Sequence, residues 1–338
     1  AKTTFLYKRT LQPGTGEYSW QDLNGDSIQQ VNEFFIAPFQ DQADFIRFAV
    51  LSDEYVQTNN LRFNQLLQLE PGRIWKSGKG LMPFIGKFSS LSTWNIERKS
   101  HQREWISAWN PFKFETIDTS LVSAQSAFQS HIFFNRNHPI FESSFGINTY
   151  FNQYLLLSGS EQSRQKIWTY AGKYRLADSW TLACQYLWGE KQNASQSFAQ
   201  NAYYYRFWQL EPELLWQKGS EIQIRSRLKW RRMMAEQAEY QIPAMIIQPG
   251  LDIQWAIKQK TRLRARLSYA EAKFDRLDMP VLTLALLEGL SPGENWLWGL
   301  SLEQKLSDAL FLSISYDGRK SELGQPIHIG KAQISAQF

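Results

Sequence analysis

From about Leu61 to the end of the chain, apolar residues recur at every second position. In Glu221–Arg231, Ile222, Ile224, Leu228 and Trp230 alternate with Gln223, Arg225, Arg227, Lys229 and Arg231. In Arg262–Tyr269, Leu263, Ala265, Leu267 and Tyr269 oppose Arg262, Arg264, Arg266 and Ser268. Leu251, Ile253, Trp255 and Ile257 form a third apolar series, Trp296, Trp298, Leu300 and Leu302 a fourth, and Leu310, Leu312, Ile314 and Tyr316 a fifth. Successive side chains of a strand leave opposite faces, so each of these segments has one apolar and one wet side. Soluble sandwiches alternate too, but with short strands and a turn signal every 8–12 residues. Here the segments run to about 10–16 residues, the length of strands that cross a bilayer at a tilt.

The connections carry the same message. Tight turns fall at Ala177–Asp178–Ser179, Gln217–Lys218–Gly219, Lys258–Gln259–Lys260 and Ser307–Asp308, with longer polar stretches at 189–201, 234–242, 275–294 and 318–327 between them. Short turns at one rim and longer loops at the other mark barrels of the outer membrane. No internal repeat of propeller type is present. Strands are predicted near 61–70, 82–97, 120–134, 140–156, 165–176, 180–189, 203–216, 221–233, 247–257, 261–274, 294–305, 308–317 and 328–338. Single-chain bacterial barrels have even strand counts, so a further strand is placed within 43–56. The predicted fold is therefore all-β: a transmembrane up-and-down antiparallel β-barrel of about 14 strands, with 12–16 the range. Residues 43–338 form the barrel and residues 1–42 a short lead-in.

Composition fits this reading. The 338 residues are 43% hydrophobic, which is ordinary, but 15% aromatic, with 14 Trp, 14 Tyr and 22 Phe. Rings spread over alternate positions suit a lipid-facing surface. The net charge of +5 does not fall in blocks but in stripes along strand faces, so nucleic acid is not an expected partner. The single cysteine, Cys184, excludes an internal disulfide and a multi-cysteine metal site. No run of about 18 apolar residues exists to make a transmembrane helix; the longest apolar stretch, Val281–Leu290, is interrupted by Thr283 and Glu288. No signal peptide opens the sequence, so export requires one that has been removed or that precedes Ala1.

Two features resemble known proteins. The last strand places Gly330, Ala332, Ile334, Ala336 and Phe338 on one face and Lys331, Gln333, Ser335 and Gln337 on the other. This resembles the C-terminal signal that the barrel-assembly machinery reads by strand addition. The segment Gly16-Glu17-Tyr18-Ser19-Trp20-Gln21-Asp22-Leu23-Asn24-Gly25-Asp26, followed by Asn32-Glu33-Phe34-Phe35, is similar to the approach to the C-terminal barrel of large outer-membrane proteins of Bacteroidota. The likeness covers roughly residues 14–72 and the end signal. It implies a bacterial outer-membrane location, a barrel, and further sequence ahead of Ala1.

Two constellations carry candidate chemistry. Asp22 to Glu33 follows the twelve-residue calcium loop: Asp22, Asn24 and Asp26 at positions 1, 3 and 5, the Ile28 carbonyl at 7, Gln30 at 9 directly or through water, and Glu33 at 12. The oxygen-only set selects Ca2+ over softer metals. Ser27 stands at position 6, where the pattern wants Gly, and a polar Asn-Gly turn without metal is the alternative. The second constellation is a basic ladder of Arg225, Arg227, Lys229 and Arg231 on one strand and Arg262, Arg264 and Arg266 two strands on. Charge is costly against lipid, so the ladder should line the lumen. There it either tracks acidic solutes through guanidinium forks or is neutralised by Asp252, Glu303 and Asp317. His101, His131, His138 and His328 are scattered and form no catalytic motif, so no enzyme is expected. The expected partners are the bilayer, the barrel-assembly machinery and other outer-membrane or surface proteins. The expected role is a membrane anchor or scaffold subunit of a larger complex, with an anion-selective pore as the alternative.

Overall fold

The computed structural model describes residues 3–51, 57–75, 80–100, 121–156, 159–196, 198–237, 240–257, 260–275 and 279–336. Four short strands come first: β1 (Thr3–Arg9), β2 (Tyr18–Trp20), β3 (Phe34–Ile36) and β4 (Phe45–Leu51). Thirteen longer ones follow, namely β5 (Asn59–Leu69), β6 (Phe88–Ser100), β7 (Leu121–Phe134), β8 (Phe141–Leu156), β9 (Gly159–Ala177), β10 (Trp180–Ser195), β11 (Tyr203–Lys218), β12 (Ile222–Gln237), β13 (Tyr240–Ile257), β14 (Thr261–Lys273), β15 (Gly293–Lys305), β16 (Leu310–Ser321) and β17 (Ile327–Ala336). From β5 to β17 each strand pairs antiparallel with the next. This is an up-and-down barrel sheet, and the alternation of the sequence is its pleat.

The short turns at Asp178–Ser179 and Gly219–Glu221 and the connection Leu306–Ala309 lie at one rim. Gly219 takes φ +57° in its turn, a left-handed conformation that costs glycine nothing. Lys258 and Gln259 of the third predicted turn lie outside the described residues.

Several boundaries differ from the sequence reading. Residues 82–85 form a helical turn, α2 (Met82–Ile85), following α1 (Gly72–Trp75), because Pro83 has no amide to give a ladder but suits the first turn of a helix. The polar stretch 234–242 is mostly strand, since β12 runs to Gln237 and β13 restarts at Tyr240. Polar side chains there mark strand ends that project past the apolar zone. The strand expected within 43–56 exists as β4, but it does not extend the main sheet. Its seven residues pair with β1, and Phe45 pairs with Tyr18 of β2, giving a small separate sheet β1–β4–β2–β3. One bridge, Thr3 to Leu156 of β8, joins the two.

The outer face is banded. Trp168 of β9, Trp188 of β10, Trp208 of β11 and Trp230 of β12 lie near one level: Trp168 stacks on Trp188 at 5.9 Å and Trp208 meets Trp230 edge-on at 5.0 Å. Two residues further along each strand, the same face turns polar, at Lys166, Glu190, Arg206 and Arg232, with Arg206 paired to Glu236. Tyr269 and Trp296, 5.0 Å apart, give way in the same manner to Glu271 and Glu294. Trp180 packs against Trp216 at 6.4 Å near the turn rim, with Trp255 on the same side. Between the two aromatic levels the outward residues of β10 to β13 include Leu182, Tyr186, Leu210, Leu214, Leu228, Ile247, Leu251 and Ile253, none charged. Trp180 and Trp188 are eight residues apart on β10, about 26 Å along a strand. A tilt near 40° brings this to about 20 Å of membrane normal, close to the apolar height of such barrels. Trp230, Trp255, Leu267, Leu300 and Ile334 are all exposed on this face.

The inner face carries the core. The loop after β14 folds inward as α3 (Pro280–Leu287) rather than outward as a polar loop. Leu282, Leu286 and Leu287 are buried against Tyr205, Phe207, Met233, Ala235, Ile242, Ala244, Ile246 and Ala272 of β11 to β14. Burial of three leucines is the gain, at roughly 1.5–3 kcal/mol each.

Candidate functional site

Strand register puts every ladder residue on the inner face. Arg225, Arg227, Lys229 and Arg231 oppose Asp252, Gly250, Gln248 and Ile246 of β13, and Asp252 opposes Arg266 of β14. Arg225 Nε lies 3.1 Å from Glu213 of β11, not on Asp252. Arg262 lies 3.4 Å from Glu303, and Arg266 3.6 Å from Asp317. Arg264 donates to the Gln254 side chain at 3.4 Å. Lys229 and Arg231 both pair with Glu288, which follows α3. Arg231 also stacks over the Phe207 ring at 4.4 Å. Arg227 has no ion pair or hydrogen bond among the described residues. It borders a cavity of about 430 Å³, together with Asp252, Arg266, Asp317, Arg319 and the segment Pro38–Asp41.

That segment belongs to the N-terminal unit, which meets the barrel strands and their connections at several points among the described residues. Asp41 pairs with Arg319 of β16, whose guanidinium lies 4.1 Å over Phe39. Gly289 meets Pro38 so closely that a Cβ on it would stand 2.2 Å away. The Asn201 amide donates to the Asn32 carbonyl at 3.0 Å, and Phe5 packs edge-on against Tyr154. Within the unit, Tyr7 stacks on Phe34 at 4.1 Å and Arg47 lies over the Phe5 ring at 4.3 Å. Burial raises the Tyr7 hydroxyl above its usual pKa, partly opposed by Arg47.

The twelve-residue loop is folded on its own backbone. The Asp22 carboxylate accepts from the amides of Gly25 at 2.7 Å and Ser27 at 2.8 Å, and Asp26 accepts from Ile28 at 2.7 Å. The Asp26 amide donates to Asn24 Oδ1, and Gln30 Nε2 donates to Asp26. Ser27 takes φ +60°, the left-handed turn that the pattern's sixth position requires and normally gives to Gly. Buried Glu33 accepts from Trp20 Nε1 at 2.8 Å and from the amides of Leu23 and Gln30. Among the described residues no three His, Cys, Asp or Glu side chains form a group that could hold a metal ion. The Asp22 and Asp26 carboxylates are thus held by backbone amides of the loop, and Glu33 by its three donors.

The described histidines have local roles. His131 lies over Gly146, His138 Nδ1 accepts from the amides of Ile140 and Phe141, and His328 sits between Trp298 and Tyr316 on the outer face. His101 lies outside the described residues. On the last strand, Gly330, Ala332, Ile334 and Ala336 share the outward face; Phe338 lies outside the described residues.

Sequence reasoning did not single out Glu213, Glu288, Asp41 or Arg319. The apolar run Val281–Leu290 was the one available signal for an inserted element, and Glu288 interrupts it.

An antiparallel up-and-down sheet with an uncharged outer band between aromatic levels and a charged inner face is an outer-membrane β-barrel. No family model matches the chain, and no curated protein does. Among solved structures it is similar to the FrpB iron transporter of Neisseria meningitidis, at 9% identity and TM-score 0.46 over 82% of this chain and 50% of that one. It is similar also to a Pseudomonas aeruginosa FadL homologue, at 10% identity and TM-score 0.37 over 98% and 85% of the two chains. A third similarity is to OmpT, an outer membrane protein of Vibrio cholerae, at 9% identity and TM-score 0.29 over 78% and 85%. The chain spans about half the length of the FrpB transporter.

Proposed function

We propose that residues 1–338 are the membrane-anchoring barrel of a larger polypeptide of Bacteroidota type, serving as scaffold for a surface or assembly complex rather than as an open channel or an enzyme. The observation that carries this is the furnished inner face: α3 and the Pro38–Asp41 strap occupy it, and acids engage Arg225, Lys229, Arg231, Arg262 and Arg266. Its partners are the bilayer, the barrel-assembly machinery that reads the last strand, and other surface proteins. Planar-bilayer recording of the purified chain tests the reading. No steady conductance is expected, and a steady anion-selective current would overturn it.

That second reading, an anion-selective pore, is favoured by Arg227, which has no acid partner among the described residues and faces the cavity. Replacing Arg227 by Gln should abolish anion preference if a current is found.

We also propose that Ca2+ binds Asp22, Asn24, Asp26, the Ile28 carbonyl, Gln30 and Glu33, stapling the N-terminal unit. When bound, the ion would supply charge neutralisation and no catalysis. Calcium should slow proteolysis within residues 15–40, and Asp22→Ala should remove that protection. Unchanged proteolysis would leave the loop a metal-free turn.

A further inference from the structure

The lipid-facing surface is indented where the apolar band meets the loop rim. A groove of about 560 Å³ lies there across β10, β11 and β12, lined by Tyr186, Trp188, Arg206, Trp208, Arg232 and Met234. Register puts all six on the outer face: Trp188 opposes Trp208, Trp208 opposes Arg232, and Arg206 opposes Met234. Tyr186 stacks on Trp188 at 5.4 Å, so the rings continue the band that holds Leu182 and Leu210.

The polar end of the groove is cationic. Arg206 and Arg232 are diagonal neighbours on paired strands, with Cβ atoms about 7 Å apart, so both guanidinium groups can reach one anion. Arg206 engages Glu236 through one amino group and its side chain is still 60% exposed; a guanidinium has further N–H donors to give. The other acid nearby, Glu190, opposes Arg206 and Lys166, and accepts from the Tyr204 hydroxyl at 3.0 Å. Lys166 lies 4.6 Å over Trp168 at the same level. Planar guanidinium forks bind phosphate oxygens pairwise, and a phosphomonoester, with more than one negative charge, suits two cations better than a singly charged phosphodiester.

We infer that this groove binds one phosphorylated lipid of the loop-side leaflet. Arg206 and Arg232 hold its phosphomonoester, and its first acyl chain lies along Tyr186, Trp188 and Met234. Two observations choose a lipid over a free anion or a protein. The groove is continuous with the uncharged band that already faces acyl chains, and its cations sit where headgroups begin, just beyond the aromatic level. The leaflet follows from the strands. Trp188 and Trp208 lie at the ends of β10 and β11 remote from the turns at Asp178–Ser179 and Gly219–Glu221, and longer loops mark the outer side of such barrels. The site concerns the lipid face alone and holds whether the lumen is blocked or open.

The test titrates the purified chain in nonionic detergent with dioleoyl phosphatidic acid, dioleoyl phosphatidylcholine or inorganic phosphate, and counts bound lipid by native mass spectrometry. Every variant is checked first for the heat-modifiable gel mobility of a folded barrel. One phosphatidic acid per chain should be retained against an excess of phosphatidylcholine and of inorganic phosphate. Arg206→Gln and Arg232→Gln should each weaken that binding by about tenfold, the loss expected of a hydrogen bond to a charged group. Lys320, which opposes Trp296 on the same outer face and is exposed, is the comparison; Lys320→Gln should leave binding unchanged. Equal retention of the two lipids would overturn the inference, because the groove would then hold ordinary boundary lipid. Displacement by inorganic phosphate would overturn it in favour of a free-anion site, and equal weakening by Lys320→Gln in favour of general attraction to a basic rim. The contrast between the two lipids on the native chain decides the matter even where an arginine variant fails to fold.

Discussion

Replacing Glu288 by Gln should unlatch α3 from the ladder while keeping the side chain's shape. Glu288 bonds both Lys229 and Arg231, and the Arg231 side chain is 4% exposed against 41% for Glu288. Stranding a charge in a fully buried pair costs about 3–5 kcal/mol. A pair fully in water contributes about 0–1 kcal/mol. With one end buried and the other half in solvent, about 2 kcal/mol is expected, a factor of about 30 in the folding equilibrium. Glu288 also sits at φ +54°, a left-handed position that costs a non-glycine residue roughly 1–2 kcal/mol. Glu288→Gly should therefore lose the pair yet regain part of that strain, destabilising by about 1 kcal/mol or less. Arg231→Met removes the buried charge and leaves a flexible apolar side chain beside Phe207 and Met233, so it should be near neutral. Urea unfolding in phospholipid vesicles, followed by tryptophan fluorescence and gel mobility, measures all three and the double variant. The cycle should show coupling of about 1.5–2 kcal/mol between positions 231 and 288. A Glu288→Gln change within about 0.5 kcal/mol of the native protein, or additive single effects, would refute the latch.

Asp41→Ala should release the strap from Arg319, weakening its docking by roughly 1–3 kcal/mol; faster proteolysis between residues 37 and 44, with the barrel's own unfolding midpoint little moved, is the expected record. Leu251→Arg in the middle of the outer band should cost about 2–4 kcal/mol in vesicles, whereas Ser313→Arg on the inner face should stay within about 1 kcal/mol. Equal costs at the two positions would mean that the faces have been assigned the wrong way round.

Local chemistry wrote much of this protein openly. Alternation at period two, the aromatic residues and the charged stripes were enough to place Arg225 to Arg231 on one face and Ile222 to Trp230 on the other. Side-chain direction in a strand follows from position parity alone, and thirteen segments announced themselves this way. Cooperation between distant segments was not legible. Glu288 lies 57 residues beyond Arg231 and Asp41 lies 278 residues before Arg319, and no local pattern marks such partners. β4 looks like any barrel strand in sequence. Its exclusion from the main sheet depends on β1, which offers a complementary edge seven residues long. The apolar run at Val281–Leu290 said that something there avoids water, but not whether lipid, an outer surface or the inner face would cover it. Only the folded chain decided that, because burial depends on which inward side chains of β11 to β14 are small or apolar enough to receive a helix.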